Sequence, residues 1–136
     1  VILFEGWCVG ARPQAPEALA APINDLERIR DPAGVWRTCV NDRLAGEYQT
    51  LFGRIDLLVL LAAPSFEVVT RWRTEQERTL RAATQREGRS LDKVMSDEEV
   101  AAFVQYYERL TRHILKEMPG RADLVLQLDE RWRVTG

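Results

Sequence analysis

The chain has 136 residues, 46% of them apolar and 29% charged, and its 19 basic against 21 acidic side chains leave a formal net charge of −2. A chain of this length buries roughly two-thirds of its unfolded surface, so a single core is achievable without metal or disulfide staples. The near-neutral balance gives no broad basic field, which argues against a dedicated nucleic-acid binder, and the two cysteines, Cys8 and Cys39, make no disulfide framework.

Val1-Ile-Leu-Phe4 is apolar throughout and predicts a buried strand. It starts without a lead-in, so the sequence is expected to be a piece of a longer protein. Gly10 to Pro32, with Pro13, Pro16, Pro22 and Pro32, is the longest irregular stretch. Loops that long in compact domains are often functional. Trp36, Val40, Leu44, Tyr48 and Leu51, three or four apart, predict one face of an amphipathic helix ending near Gly53. Leu57 to Leu61 predicts a second strand. Pro64 and Ser65 open a helix with an apolar stripe of Val68, Val69, Trp72 and Leu80 and with Arg71, Arg73, Glu75, Glu77, Arg78 and Arg81 on its other faces. After a polar segment holding Gly88 and Ser90, Ser96-Asp-Glu-Glu99 reads as a capping box. It precedes a helix carrying Val100, Phe103, Val104, Tyr107, Leu110 and Ile114 that stops at Pro119-Gly120. Leu124-Val-Leu126 with Leu128 predicts the last strand.

The order strand, helix, strand, helix, helix, strand, with strands apolar on both faces, predicts an α/β fold. Its parallel sheet would be covered by helices and joined by right-handed crossovers. No repeat, low-complexity tract or linker divides residues 1–136 into two domains. The longest apolar runs are too short to span a bilayer, and no charged and then apolar leader opens the chain, so neither a membrane nor secretion is expected. A cytoplasmic setting follows from the sparse cysteines. An exposed apolar edge at Val1 to Phe4 would favour self-association, which leaves a homo-oligomer open.

In open parallel sheets, ligands bind beyond the carboxyl ends of the strands. Three places meet that condition. At Glu5-Gly6-Trp7 an acid ends an apolar strand, where a carboxylate holds Mg²⁺ or orients a nucleophile and a glycine admits a phosphate or another backbone. The plainer reading is an acid that caps a strand and pairs with an arginine. Ala62-Ala63-Pro64-Ser65-Phe66 is a strand-to-helix turn leading into the Arg-rich segment, and Asp129 follows the last strand. Seventeen of the 19 basic residues are arginine, which reflects either base composition or a need for planar anion clamps. Arg71 with Glu75 and Glu77 with Arg81 have the spacing of ordinary helix-surface pairs, worth ~0.2–0.5 kcal/mol each. Residue counting therefore favours a solvated helix face, whereas location beside a strand end favours arginines over a phosphoryl group. His113, the sole histidine, has no partner spacing for zinc or a catalytic triad and is expected at the surface or the core edge. The four tryptophans read as packing residues, with Trp7 singled out by its place beside Glu5.

The runs VILFEGWCVGARPQ, RLAGEYQTLFGRIDLLVLLAAPSFEVVTRWRTEQE, MSDEEVAAFVQYYERLTRHIL and RADLVLQLD, in that order, resemble the C-terminal half of D-glycerate 3-kinase-like proteins. These belong with the phosphoribulokinase and uridine kinase branch of the P-loop kinases. The resemblance spans nearly the whole chain, and its most specific parts are FEGW followed by VGARP and the block FVQYYERLTRH.

It implies a parallel-sheet, three-layer P-loop NTPase-like fold, of which residues 1–136 are the C-terminal portion. It also implies transfer of the γ-phosphoryl of ATP to a small hydroxylated acceptor, with D-glycerate the first choice. Glu5 would act on Mg²⁺ or its water shell as the strand-end acid. Gly6, Trp7 and Arg12 would face the acceptor, Arg12 meeting its carboxylate or a phosphate. Arg71, Arg73 and Arg78 would form a lid over the phosphates, and Asp129 would lie near the adenine. The sequence departs from the family in one respect: it holds no G-x-x-x-x-G-K-[ST] loop, and neither Lys93 nor Lys116 has the glycine spacing to replace it. The chain as written is therefore expected to be inactive without an N-terminal half. The alternative is a P-loop-like domain that serves as a non-catalytic binding or regulatory module.

Overall fold

A computed structural model describes residues 1–135. In chain order it contains a 3₁₀ turn at Pro16–Leu19, α1 (Asp25–Arg30), α2 (Val35–Arg43), a π turn at Leu44–Tyr48, α3 (Gln49–Phe52) and β1 (Val59–Ala62). The second half comprises α4 (Phe66–Arg86), α5 (Asp97–Glu117), a 3₁₀ turn at Met118–Gly120 and β2 (Leu124–Gln127). β1 and β2 pair in parallel, with Val59 opposite Leu124 and Ala62 opposite Gln127. The crossover between them is the pair α4 and α5, each 21 residues long and packed against the other.

The two long helices begin where the sequence says they should. Ser65 caps α4 by accepting from the Val68 amide, and Ser96 and Glu99 close a reciprocal capping box on α5. α5 buries Val100, Val104, Thr111 and Ile114, a spacing of three, four and seven that defines one helical face. Ile114 and Met118 pack with Leu44, Phe52, Leu60, Ala62 and Ala11 in the main core, while Val100 and Val104 hold Phe66 in a second cluster.

Five expectations need correction. Val1 to Phe4 form no strand among the described residues and are exposed. A strand needs a neighbour to take its backbone hydrogen bonds, and the described sheet is β1 and β2 alone. The sheet is also not covered on both faces. Leu60 and Ala62 are buried, whereas Val59 and Leu61 on the opposite face are 43% and 62% exposed. The stretch from Gly10 to Pro32 is not irregular throughout, since it contains the Pro16–Leu19 turn and α1, capped by Asn24.

The helix ending near Gly53 is broken by the π turn, with Gly46 at φ −97° and ψ −106°. That break changes the phase. Leu44 and Phe52 enter the core, and Trp36, Val40, Tyr48 and Leu51 stay exposed. On α4 the expected stripe holds at Val68, with Val69 and Trp72 half-buried, but Leu80 is exposed. Glu77 is buried in the same helix because its carboxylate accepts from the Met95 amide and pairs with Arg73.

Candidate active site

The Glu5-Gly6-Trp7 segment leads into a turn that is strapped along α5. The Trp7 indole nitrogen donates to the Thr111 hydroxyl at 2.9 Å, and the ring meets Tyr107 edge-on with centroids 4.8 Å apart. Further along, His113 Nε2 lies 3.1 Å from the Arg12 carbonyl oxygen, and the Arg121 guanidinium donates to the Gly10 carbonyl. Gly10 is at φ +75°, and a Cβ there would stand 2.8 Å from Leu58 Cδ1, so this tight turn against β1's approach requires glycine. Glu5 itself is exposed and belongs to no cluster of three metal-ligating side chains among the described residues. A single free carboxylate fits the usual way Mg²⁺ is held, by one or two protein oxygens with the rest from phosphates and water.

The arginines expected over the phosphates are all engaged within the chain. Arg71 pairs with Glu130 at 2.9 Å, Arg73 with Glu77, and Arg78 with Asp97. Arg73 also sits over the Phe103 ring, 5.6 Å from its centroid. The Arg78 and Asp97 pair ties α4 to the first turn of α5, and their mutual hydrogen bonds raise the arginine pKa and lower that of the acid. Arg71 and Arg78 keep more than half of their side-chain surface exposed, so both reach solvent.

Asp129 is a turn organiser in this structure. Its carboxylate accepts from the amides of Arg131 and Arg133 and from the Arg133 side chain, which holds its carboxyl below the usual range. The turn it closes brings Leu128 opposite Val134 and places Trp132 at φ 62°. Trp132 then stacks edge-on with Trp72 of α4, 5.6 Å between centroids, and Trp72 donates to the Glu130 carbonyl. Arg71, Trp72 and the turn after β2 are thus one unit. The structure sets Trp7 and the Arg12 carbonyl along α5, and gathers Arg71 with the Asp129 turn.

Several residues of the site region escaped the sequence reading. Arg109 grips Glu27 through two nitrogens, at 2.7 Å each, and donates to the carbonyls of Ala18 and Ala21. Burial alone would push the Glu27 carboxyl up, but its bonds to Arg109 and to the Ile23 amide outweigh that and hold it below the ordinary value. Gln105 accepts from the Leu26 amide, and Asn24 donates to Glu108. Every one of these α5 residues lies in FVQYYERLTRH. The available signal was that a helix block so dense in polar and aromatic side chains exceeds what one core-facing stripe requires.

Two surface depressions among the described residues bear on the site. One, of about 590 Å³, runs along α2 between Gly34 and Arg43 and contains none of the candidate residues. The other, of about 460 Å³, lies between the Gln14–Ile23 segment and α5.

No family model matches the chain. Over 108 residues, 78% of this chain, it is 39% identical to an uncharacterized kinase, mug58, of Schizosaccharomyces pombe, of which that stretch is 35%. Among solved structures, D-glycerate 3-kinase from Cryptococcus neoformans superposes on 98% of the chain with a TM-score of 0.64 and 21% identity. The match takes in 47% of that protein. The chain thus spans about a third to a half of the kinases it matches. The mixed helix and strand architecture with a parallel sheet is the fold of that part of the kinase, and the likeness first read from FEGW, VGARP and FVQYYERLTRH is met by both comparisons: this chain is similar in sequence to a kinase and in fold to D-glycerate 3-kinase.

Proposed function

We propose that this chain is the C-terminal portion of a P-loop kinase domain with a three-layer fold. The full-length protein would transfer the γ-phosphoryl of ATP to a hydroxyl of a small metabolite, D-glycerate giving 3-phosphoglycerate being the first choice. The fold correspondence to D-glycerate 3-kinase over 98% of the chain carries this reading. The exposed apolar faces at Val1 to Phe4, Val59 and Leu61 suit a sheet continued by further strands and covered by a further layer.

In this reading Glu5 acts on ATP-bound Mg²⁺, which supplies charge neutralisation at the phosphates. Trp7 and Arg12 face the acceptor. Arg71, Arg73 and Arg78 exchange their present carboxylate partners for phosphate oxygens when nucleotide binds, a trade between two charge-assisted pairings. Asp129 shapes the turn next to the adenine. The phosphate-binding loop comes from the N-terminal half, so the isolated chain is inactive.

A coupled ADP-release assay on the full-length protein with glycerate, uridine, pantothenate and ribulose 5-phosphate tests the class. Turnover with one acceptor supports the kinase. Absence of turnover with all four, together with no ATP binding by calorimetry, would sink it in favour of a non-catalytic module.

A further inference from the structure

Arg73 stands apart from the other two arginines of α4 expected over the phosphates. Arg71 and Arg78 keep 56% and 60% of their side-chain surface exposed, whereas Arg73 keeps 27% and pairs with the buried carboxylate of Glu77. Its guanidinium lies over the Phe103 ring at cation–π distance, 5.6 Å from the centroid. Phe103 meets Tyr107 with centroids 5.1 Å apart and planes tilted by 56°, and Tyr107 meets Trp7 edge-on at 4.8 Å. Phe103, Tyr107 and Thr111 follow one another four residues apart and so form one ridge of α5, at the end of which Thr111 accepts from the Trp7 indole. An unbroken series of contacts therefore runs from an α4 arginine to the turn that follows Glu5.

The series bridges the two cores rather than lying inside either. Phe103 packs on the Phe66, Val100 and Val104 cluster, and Cys8 and Val9, directly after Trp7, pack on the main core. Tyr107 and Trp7 belong to neither cluster among the described residues. Edge-on and tilted ring pairs are directional, so a shift of one ring changes where its neighbour sits. The turn at the far end is short and closed by its own backbone, the Val9 amide donating to the Gly6 carbonyl at 3.3 Å and the Ala11 amide to the Cys8 carbonyl at 3.0 Å. Trp7 is the side chain that ties it to this ridge.

We infer that Phe103 and Tyr107 are positioning residues that couple the placement of Arg73 to the turn bearing Glu5 and Trp7. That the two ends serve phosphate and acceptor rests on the kinase reading above; the mechanical coupling does not. A nucleotide that draws Arg73 from Phe103 and Glu77 to its phosphates thereby resets the Glu5 turn, so the nucleotide and acceptor sides respond together.

Amide hydrogen exchange by mass spectrometry on the full-length protein without ligand reads the coupling independently of turnover. In Arg73→Ala, Phe103→Leu and Tyr107→Leu, exchange of segment 5–12 is expected to accelerate roughly three- to tenfold. Tyr107→Phe keeps the ring and should exchange like the wild type. Arg81→Ala is the control: it removes a bond to the Met95 carbonyl outside the series and is expected to lower Tm without accelerating that segment. Wild-type exchange of the segment in Arg73→Ala or Tyr107→Leu, equal acceleration in Arg81→Ala, or failure of Tyr107→Phe to preserve it overturns the coupling.

ADP release with the acceptor panel is measured in parallel so that the two readings fail separately. Tyr107→Leu should lower kcat about tenfold with KM for ATP within about twofold, and Tyr107→Phe should retain the wild-type rate. Accelerated exchange in a protein that turns over no acceptor would sink the kinase and leave the coupling. An active kinase whose kcat is unchanged in Tyr107→Leu would overturn the positioning role and leave the kinase.

Discussion

Trp7 and Thr111, 104 residues apart, are joined by one hydrogen bond of 2.9 Å between indole nitrogen and hydroxyl. That bond fastens the Glu5–Arg12 turn to the middle of α5. Thr111 is buried but Trp7 is half exposed, so Thr111→Val removes the indole's partner where water can reach it and should cost about 0.5–1.5 kcal/mol. Trp7→Phe loses the same bond but keeps a ring against Tyr107. In urea unfolding the double variant should lose less than the sum of the two, with a coupling of about 0.5–1.5 kcal/mol. Simple additivity would show that the bond contributes nothing.

Gly10 meets two constraints at once, a left-handed backbone and contact with Leu58. Gly10→Ala is expected to destabilise the protein by ~1–3 kcal/mol, combining backbone strain with overpacking. Gly120→Ala is the control, since nothing stands within 4 Å of its would-be Cβ and its φ is not left-handed. Thermal unfolding in which both variants melt alike would remove the special role of Gly10.

Glu5 belongs to no cluster of three or more metal-ligating side chains among the described residues, and in the kinase reading it acts on Mg²⁺ brought by the nucleotide. Glu5→Gln in the full-length protein should lower kcat far more than it weakens ATP binding, as expected of a group that acts in the transition state. Unchanged turnover would give Glu5 a structural role.

Arg73 and Arg81 lie on the same helix with different partners. Arg73 faces Glu77, Gln76 and Phe103, and Arg81 donates to the Met95 carbonyl that leads into α5. Arg73→Ala is expected to reduce turnover, whereas Arg81→Ala should lower Tm and leave kcat alone. Equal and negligible effects on kcat would return α4 to a solvated helix face.

Acid pH should loosen the molecule in a defined window. Burial would raise the carboxyls of Glu27 and Asp31, but arginine and amide partners reverse the sign. Hydrogen bonds lower those of Asp97, Glu117 and Asp129, and the Arg112 hydrogen bond takes Glu67 down to about 2. Since the folded values lie below the unfolded ones of 3.8 to 4.5, this stabilisation is complete above about 4.5. It is lost as pH falls through the folded values. Tm should be flat near neutrality and drop increasingly steeply below that point, with a shallower drop in Glu27→Gln. An identical slope in that variant would exclude the Glu27–Arg109 pair as a source.

The sequence by itself determined the elements whose signals are local. Ser65 and Ser96 carry their own capping chemistry, Val100, Val104 and Ile114 repeat at helical spacing, and Pro119-Gly120 stops α5. The separated blocks also carried the kinase likeness, because each is a string of residues readable without coordinates. Only the tertiary structure decided what depends on partners distant in the chain. Val1 to Phe4 has strand composition but no strand to pair with among the described residues, and Gly46 breaks a helical phase that its neighbours alone would continue. His113 read as an edge residue from its surroundings in sequence. Its contact is Arg12, 101 positions away, and a contact set by chain topology leaves no mark on the local pattern. The near-neutral charge of the whole chain likewise hid a local asymmetry. Most arginines pair with carboxylates, and only folding shows that Arg109, Arg112 and Lys116 of α5 line one cleft.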